Sequence, residues 1–312
     1  MPQLSHTAPH SRDTADRARL LQRAIRRLRR ADLYYGHGTD NPRDDAAALL
    51  GHALRLRRPL APADLQGALS PSAAKRFDAL LERRIRERMP AVYLTGRCWF
   101  AGVPLHVDPR VLIPRSPIAE LIERQFAPWV DAESVRRIAD LGTGSGCIAL
   151  ACALAFPRAR VDAVDNDADA LAVARINRQA LGLARRVQLV KSDFFRQLRG
   201  RRYDMIVSNP PYVGAKEYAS LPPEYAHEPG QALYSGPDGM QAVRTLLRGA
   251  LRHLTPEGVL IVEVGNTQTT VQREFPSLPF VWLSFERGGG GVFLLTAQQL
   301  RSAAKWLKRS LA

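Results

Sequence analysis

The segment Asn209-Pro210-Pro211-Tyr212 combines residue types that can bind and orient a planar nitrogen. Proline fixes φ and biases the preceding residue towards extended geometry, so the Asn209 side chain and the Pro210 carbonyl are held in place. A side-chain amide nitrogen, like the exocyclic amine of adenine, carries two N–H donors, and these two oxygens can each accept one. The Tyr212 ring can lie over the planar group. We therefore predict that Asn209, Pro210 and Tyr212 are catalytic, and that together with Pro211 they bind the substrate.

A glycine-rich turn at residues 140–146 is the second candidate, because it follows an apolar strand and opens a helix. Glycine tolerates φ > 0 and lets the backbone approach a ligand closely. The turn alone does not specify the ligand, since a dinucleotide site or a purely structural strand–helix turn would use a similar one. The residues of this turn that we predict to bind a cofactor are Asp140, Gly142, Thr143, Gly144, Ser145 and Gly146.

Further candidate positions follow the next predicted strands. Asp165 ends the second strand, where an acidic side chain can hold ribose hydroxyls. Asp193 follows the third strand and can accept from an exocyclic amine, and Phe194 can stack on a purine, although an isolated phenylalanine is more often part of the core. Because open α/β sheets bind ligands at the carboxyl ends of their strands, we predict a shared cofactor site. Its members beyond the glycine turn are Asp165, Asp193, Phe194 and Asn209.

Alternating strands and helices position these residues. Strands are predicted at 137–141, 161–164, 187–191, 205–208 and 258–264, and helices at 147–156, 167–181 and 239–254. Repeated strand–helix units predict an α/β fold with a mostly parallel, doubly wound, Rossmann-like sheet. A closing hairpin formed by residues 280–285 and 292–295 would add one antiparallel strand.

The first ninety residues follow a different pattern, with apolar residues at three-to-four spacing among arginines. We predict a disordered tail over residues 1–12 and a small N-terminal helical domain over residues 13–90. A β-hairpin linker is predicted over residues 91–110, and the catalytic domain over residues 111–312.

Composition indicates a folded, strongly basic protein. Hydrophobic residues make up 46% of the 312 residues, which allows a sizeable core, and the formal net charge is +15. Such a charge favours association with an anionic partner such as RNA, DNA or a ribonucleoprotein. Only five of the basic residues are lysines, so the arginine excess is also compatible with a compositional bias of the coding sequence.

Cysteine usage and hydropathy favour a cytoplasmic protein. The three cysteines form neither a disulfide framework nor a metal-binding spacing, so we predict no metal site. The polar first residues contain no signal-peptide core, and no apolar run is long enough to cross a membrane. We therefore expect a reducing, cytoplasmic location and no membrane partner.

The glycine turn, the acidic residues at strand ends and the Asn-Pro-Pro-Tyr motif together resemble class I S-adenosylmethionine-dependent methyltransferases. The resemblance implies S-adenosylmethionine as cofactor and S-adenosylhomocysteine as product. It also implies that the turn wraps the methionine part, with Asp140 near its ammonium group. The cluster of Asp140, Asp165 and Asp193 suits the positive sulfonium.

Two groups share the Asn-Pro-Pro-Tyr motif: N6-adenine nucleic-acid methyltransferases and the HemK-like protein-glutamine N5-methyltransferases. This chain resembles the HemK-like family over nearly all its length, from the helical N-terminal domain to Leu112-Ile113-Pro114-Arg115 and the methylation motif. Membership would make the helical domain the substrate-recognition domain. It would make the reaction a methyl transfer to the N5 amide nitrogen of a glutamine.

Three segments resemble the branch of that family that methylates the third large-subunit (50S) ribosomal protein rather than the branch that methylates peptide-chain release factors. They are Ser116-Pro117-Ile118, the segment 221–229 and the segment 288–293, and the segments 147–149 and 161–165 fit the same branch. This resemblance implies a large-subunit ribosomal protein as substrate, either free or within an RNA-containing assembly precursor. The glycine turn departs from the pattern of this branch at residues 140–143.

Three alternatives stay open at this point. Release factors would be the substrate if the chain belonged to the other branch. An N6-adenine methyltransferase would have to flip its base and would usually carry a target-recognition domain, which is not evident here. A ribosome-binding module that had lost catalysis would not need the intact motif at residues 209–212.

Overall fold

The computed structural model describes residues 16–310, and the predicted disordered tail over residues 1–12 lies outside this range. The chain divides into two compact units, Met1–Thr95 and Gly96–Ala312.

The N-terminal unit is helical. Its helices are α1 (Arg17–Arg30), α2 (Pro42–Ala53), α3 (Pro71–Arg86) and α4 (Ala91–Thr95), with a 3₁₀ turn at Pro62–Leu65. Side chains of Asp16, Asn41 and Ser70 accept backbone N–H groups at the starts of α1, α2 and α3 and so cap them. Apolar faces of these helices form a separate core around Leu28, Leu49 and Phe77.

A buried ion pair crosses this core. Arg84 donates to Asp45 at 2.6 Å, and the two side chains are 2% and 0% exposed. Burial raises the pKa of Asp45, and the Arg84 charge opposes this rise. Arg84 also donates to the Tyr34 carbonyl at 2.8 Å, so the arginine ties α3 to the loop after α1. Removing one partner of such a pair leaves a buried charge and costs about 3–5 kcal/mol.

The predicted hairpin linker over residues 91–110 is wrong in its first part, where the chain forms helix α4. Tyr93 and Leu94 donate their N–H groups to the Pro90 carbonyl at 3.0 and 3.2 Å, which closes one helical turn. Residues of high strand propensity are present there, but all four from Ala91 to Leu94 are buried, and this packing overrides propensity. The hairpin itself comprises β1 (Arg97–Phe100) and β2 (Val103–His106), both in the second unit.

The second unit is built on a seven-stranded sheet. Its strands are β3 (Arg137–Leu141), β4 (Arg160–Asp165), β5 (Val187–Lys191), β6 (Tyr203–Ser208), β7 (Leu254–Glu263), β8 (Val281–Leu283) and β9 (Val292–Thr296). The spatial order is β5-β4-β3-β6-β7-β9-β8. The pairs from β5 to β7 are parallel, and β9 is antiparallel to both of its neighbours. The predicted mostly parallel sheet with one antiparallel strand is therefore confirmed.

Helices cover both faces of this sheet. They are α5 (Ile118–Glu123), α6 (Cys147–Ala155), α7 (Ala168–Ala180), α8 (Ala215–Tyr218), α9 (Gln241–His253), α10 (Gln268–Glu274), α11 (Ala297–Ser302) and α12 (Ala304–Ser310). One core lies between α5, α6 and the sheet, and a second lies between the opposite face and α9 to α12. None of the helices within residues 16–310 is long and apolar enough to cross a membrane.

The strand order reverses direction at β3. The chain leaves β3 for β4 on one side and returns to β6 on the other. Open α/β sheets bind ligands at the carboxyl ends of the strands that flank such a switch point. The loops after β3 and β6 carry the glycine turn and the Asn-Pro-Pro-Tyr motif, so the two predicted groups of residues meet at this point.

Candidate active site

A cleft of about 280 Å³ lies at the carboxyl edge of the sheet. The predicted residues that line it are Gly142, Gly144, Asp165, Asp193, Phe194, Asn209 and Pro211. The predicted residues that do not line it are Asp140, Thr143, Ser145, Gly146, Pro210 and Tyr212. The structure thus brings loops from four successive parallel strands to one cleft. The predicted residues that do not line the cleft belong to the same glycine turn and Asn-Pro-Pro-Tyr motif as those that do.

The glycine turn presents its backbone to this cleft. Gly142 and Gly144 have φ of +76° and +53°, a region that favours glycine. The Gly144 N–H donates to Asp165 Oδ2 at 2.8 Å, which links the turn to the end of β4. A Cβ added at Gly142 would lie 3.9 Å from both the Asn209 carbonyl oxygen and the Pro210 Cα. The turn after β3 therefore packs directly against the motif after β6.

Asp140 is fully buried behind the turn. Its Oδ2 accepts from the Thr143 hydroxyl at 2.5 Å and from the Ala149 N–H at 3.0 Å. Its Oδ1 has no hydrogen-bond partner among the described residues, and burial raises the pKa of Asp140 to about 7. A buried carboxylate oxygen without a donor favours binding of a positively charged group. This arrangement fits the ammonium group of a methionine moiety.

Asp165 ends β4 at the wall of the cleft. Its Oδ1 accepts from the Asp167 N–H at 3.0 Å, and burial raises its pKa. Each carboxylate oxygen has two lone pairs, so Asp165 can still accept from a ribose hydroxyl.

The two phenylalanines after β5 have different surroundings. Phe194 adopts φ +42° and lines the cleft, and the Ser192 hydroxyl donates to its carbonyl at 2.9 Å. Phe195 instead stacks on His253, with ring centroids 4.5 Å apart. Only Phe194 is therefore placed to stack on a bound base.

The Asn-Pro-Pro-Tyr motif is anchored by a buried network. The Tyr212 hydroxyl donates to Glu263 Oε1 at 3.2 Å, and the Ser116 hydroxyl donates to Glu263 Oε2. Burial raises the pKa of Tyr212, and the nearby Glu263 carboxylate adds to this rise. The hydroxyl therefore stays protonated as a donor. Tyr212 packs beside Gly265, where an added Cβ would lie 2.5 Å from ring atom Cε2.

Two further buried glutamates, Glu263 and Glu228, support the site and were not among the predicted residues. Glu228 receives two hydrogen bonds from Arg115, at 2.5 and 2.7 Å, and one from the Ile113 N–H at 3.0 Å. It thereby ties the segment before α5 to the 3₁₀ turns after α8. Glu263 ends β7, so the rule that ligands bind at carboxyl ends of strands could have identified it. No local pattern pairs Glu228 with Arg115, because 113 residues separate them.

Within residues 16–310, no group of three or more His, Cys, Asp or Glu side chains could hold a metal ion. The three cysteines are free thiols. Burial raises the pKa of Cys98 to about 12, which keeps this thiol protonated and unreactive.

Comparison with known proteins identifies relatives of both units. Residues 124–236 match the model of the methyltransferase small domain, and residues 19–96 match that of the PrmC N-terminal domain. The ribosomal protein uL3 glutamine methyltransferase of Neisseria gonorrhoeae is 45% identical over 282 residues, which cover 90% of this chain and 94% of the relative. The protein of the same name from Burkholderia pseudomallei is 45% identical over 293 residues, with 91% and 95% covered. A methyltransferase structure from Pyrococcus furiosus aligns with a TM-score of 0.46 at 19% identity, covering 63% of this chain and 89% of that one.

Proposed function

Because this chain belongs to the family of ribosomal protein uL3 glutamine methyltransferases, we propose that it methylates a glutamine side-chain amide of uL3, the third large-subunit protein. The methyl donor is S-adenosylmethionine, and the acceptor atom is the amide nitrogen N5. The observation that carries this proposal is the contact between the glycine turn at Gly142 and the Asn209-Pro210 segment. It brings the predicted cofactor loop beside the predicted acceptors for an amide nitrogen.

S-adenosylmethionine supplies an electrophilic methyl group on a positively charged sulfonium. Asp140 would hold the ammonium group through its unpartnered Oδ1, and Asp165 would accept from the ribose hydroxyls. Asp193 and Phe194 line the same cleft and would accept from and stack on the base. Thr143 would act behind the turn by positioning Asp140, and Gly146 by starting α6. The Ser145 carbonyl accepts from Asn177, so Ser145 would likewise act by fixing the turn rather than by lining the cleft.

The substrate amide would be oriented by two acceptors. Asn209 Oδ1 and the Pro210 carbonyl oxygen would each accept one N–H, which aims the nitrogen lone pair at the methyl group. As the lone pair localises, positive charge develops on the nitrogen, and both acceptors stabilise that charge. Tyr212, held by Glu263, would limit where the planar amide can lie. The methylated nitrogen can lose its proton to water, so no strong base is required.

The first test is transfer of labelled methyl from S-adenosylmethionine to three substrates side by side. These are ribosomal proteins from cells lacking the enzyme, peptide-chain release factors and DNA, followed by mass mapping. We expect label on a glutamine of uL3. Label on release factors or adenine would overturn the substrate and leave the methyltransferase chemistry in place.

The basic charge supports an RNA-containing assembly precursor as the physiological form of the substrate. Because such a protein substrate is itself basic, a chain with a net charge of +15 would be repelled unless RNA is present. Such a substrate also implies action in the cytoplasm. We expect binding to precursor particles to weaken as salt rises. Salt-independent binding would exclude RNA contact.

A further inference from the structure

Five arginines surround a second cavity, of about 460 Å³, at the amino edge of the sheet. They are Arg137, Arg160, Arg178, Arg185 and Arg186, and we call this group the arginine basin. Arg137 is the first residue of β3, so four residue steps of about 3.3 Å place it roughly 13 Å from the end of that strand at the cofactor turn. The basin is therefore distinct from the active-site cleft.

Like charges are held close together in the basin by the fold. Arg137 and Arg160 begin the adjacent parallel strands β3 and β4 and are paired in register. Side-by-side like charges on neighbouring strands destabilise a sheet. Arg137 is oriented by the Tyr203 ring, 5.7 Å from its guanidinium carbon. Repulsion between these arginines therefore destabilises this edge of the sheet, and a bound anion would offset that repulsion.

Two other members are fixed at helix ends. Arg178, in the last turn of α7, donates through Nη1 to the Val187 carbonyl at 3.2 Å. Its Nε is buried and has no hydrogen-bond partner among the described residues. Arg186 donates to the Ala153 carbonyl and, at 3.3 Å, to the Phe156 carbonyl at the end of α6. These bonds satisfy carbonyls but leave the positive charges without a counterion.

The single acidic residue in the lining does not neutralise the basin. Asp162 accepts from the Arg201 guanidinium at 2.9 Å and from the Tyr203 hydroxyl at 2.7 Å. Within residues 16–310, no carboxylate lies within ion-pair distance of any of the five arginines. By contrast, Arg115 and Arg244 elsewhere in this unit are paired with glutamates.

We propose that the arginine basin binds backbone phosphates of RNA. This inference rests on the proposed function, in which the substrate is a ribosomal protein met together with RNA. Guanidinium groups bind phosphate oxygens through paired N–H donors, and concentrated arginines without carboxylates are typical of phosphate-binding surfaces.

The rest of the lining favours RNA over an acidic protein. It contributes only Val161, Val187 and Ala184 as apolar residues, and no aromatic residue. Protein interfaces depend on buried apolar or aromatic anchors, which the basin lacks. The absence of aromatic side chains from this lining also excludes base stacking there, so the basin recognises backbone charge without reading sequence.

The test uses the full chain and an RNA duplex of about 20 base pairs, with fluorescence anisotropy from roughly 50 to 200 mM KCl. The variant Arg160→Gln/Arg185→Gln removes two exposed charges that have no side-chain hydrogen bond among the described contacts. The matched control Arg273→Gln/Lys305→Gln removes two exposed charges from α10 and α12. We expect the basin variant to bind roughly 10- to 100-fold more weakly at about 100 mM salt, with a salt slope lower by about 2. The control should stay within about threefold of the original chain, because it removes no basin contact.

The other outcomes decide against the proposal. Equal losses of RNA affinity in the basin variant and its control would show that the effect comes from net charge alone. Displacement of the duplex by inorganic phosphate at equal phosphate concentration would assign a small-anion site, and stronger binding of polyglutamate than of RNA would assign an acidic protein. Arg160→Lys/Arg185→Lys should retain most of the affinity, which separates loss of charge from misfolding.

Methylation of uL3, both free and within precursor particles, is measured on the same proteins. RNA binding without any methylation would overturn the proposed function but leave the basin assignment standing. Methylation of uL3 together with unchanged RNA affinity in the basin variant would overturn the basin assignment and leave the proposed function standing.

Discussion

At the scale of single residues, Asn209 carries the most specific prediction. Replacing Asn209 by alanine would remove one of the two proposed acceptors for the amide N–H groups. We expect a loss of about 3 kcal/mol of barrier lowering, roughly 150-fold in kcat, by analogy with deleting one oriented hydrogen-bond partner. Single-turnover kinetics with uL3 would measure it.

The matched control is Gln272→Ala, at an exposed side-chain amide on α10. We expect this variant to turn over within about twofold of the original chain, since surface substitutions cost little. Near-normal turnover of Asn209→Ala would refute the assignment of this residue.

The raised pKa of Asp140 predicts that both the stability of the chain and its affinity for the cofactor depend on pH. Its pKa of about 7 in the folded chain is above its usual value of 3.8, so the folded state binds more protons than the unfolded state between these values. Its contribution to stability without ligand is therefore largest at low pH and declines as pH rises towards 7. A bound ammonium group favours the charged form. Cofactor binding should thus release a proton and tighten as pH rises from about 5.5 to 7.

Calorimetric titration of S-adenosylhomocysteine in buffers of different ionisation enthalpy measures that proton release. Asp140→Asn should bind more weakly and without this pH dependence, because its side chain does not titrate. A pH dependence that persists in Asp140→Asn would assign the titrating group elsewhere.

At the scale of elements, the turn after β7 positions the Tyr212 ring. Gly265 has φ +45°, and a Cβ there would lie 2.5 Å from Tyr212 Cε2, inside contact distance. Gly265→Ala should displace the ring and lower kcat by roughly 10- to 100-fold, because small displacements at a reacting centre are costly. S-adenosylhomocysteine affinity should change little.

Gly288→Ala provides the control, because Gly288 has φ +85° but an added Cβ would meet nothing within 4 Å. Both variants carry the strain of a non-glycine residue at positive φ, about 1 kcal/mol. At Gly265 the clash of the new Cβ with Tyr212 adds an overpacking cost of about 1–3 kcal/mol, so Gly265→Ala should unfold at a lower temperature than Gly288→Ala. Equal kcat values in the two variants would show that the ring position does not matter.

The alternating elements of the second unit could be predicted from sequence because each strand is a short apolar run bounded by turns. The four predicted strands from β3 to β6 differ from the observed bounds by no more than two residues at either end. Helix α4 could not be predicted, since Ala91 and Leu94 are buried by packing with distant residues of α1, α2 and α3. Asn209 and the glycine turn could be predicted because each belongs to a short motif of adjacent residues. The Arg115–Glu228 and Tyr212–Glu263 bonds join residues 113 and 51 positions apart, which no local pattern encodes.

At the scale of the whole molecule, charge is divided between the two edges of one sheet. Asp140 and Asp165 lie at the carboxyl ends of β3 and β4, and Asp193 follows β5, whereas Arg137 and Arg160 begin strands at the amino edge. The acidic edge attracts a sulfonium and repels phosphate, and the basic edge does the opposite. The net charge of +15 alone does not reveal this division, because it averages over both edges.

This division predicts that RNA and cofactor bind independently. The basin lies roughly 13 Å from the glycine turn along β3, and the two sites share no lining residue. The dissociation constant for S-adenosylhomocysteine should therefore change less than about threefold when the chain is saturated with duplex RNA, as measured by calorimetry. The Arg160→Gln/Arg185→Gln variant, which should bind RNA roughly 10- to 100-fold more weakly, gives the reference value for cofactor affinity at low RNA occupancy. Competition between RNA and S-adenosylhomocysteine would place the RNA in the active-site cleft, against the acidic residues there, and would exclude the amino edge as its site.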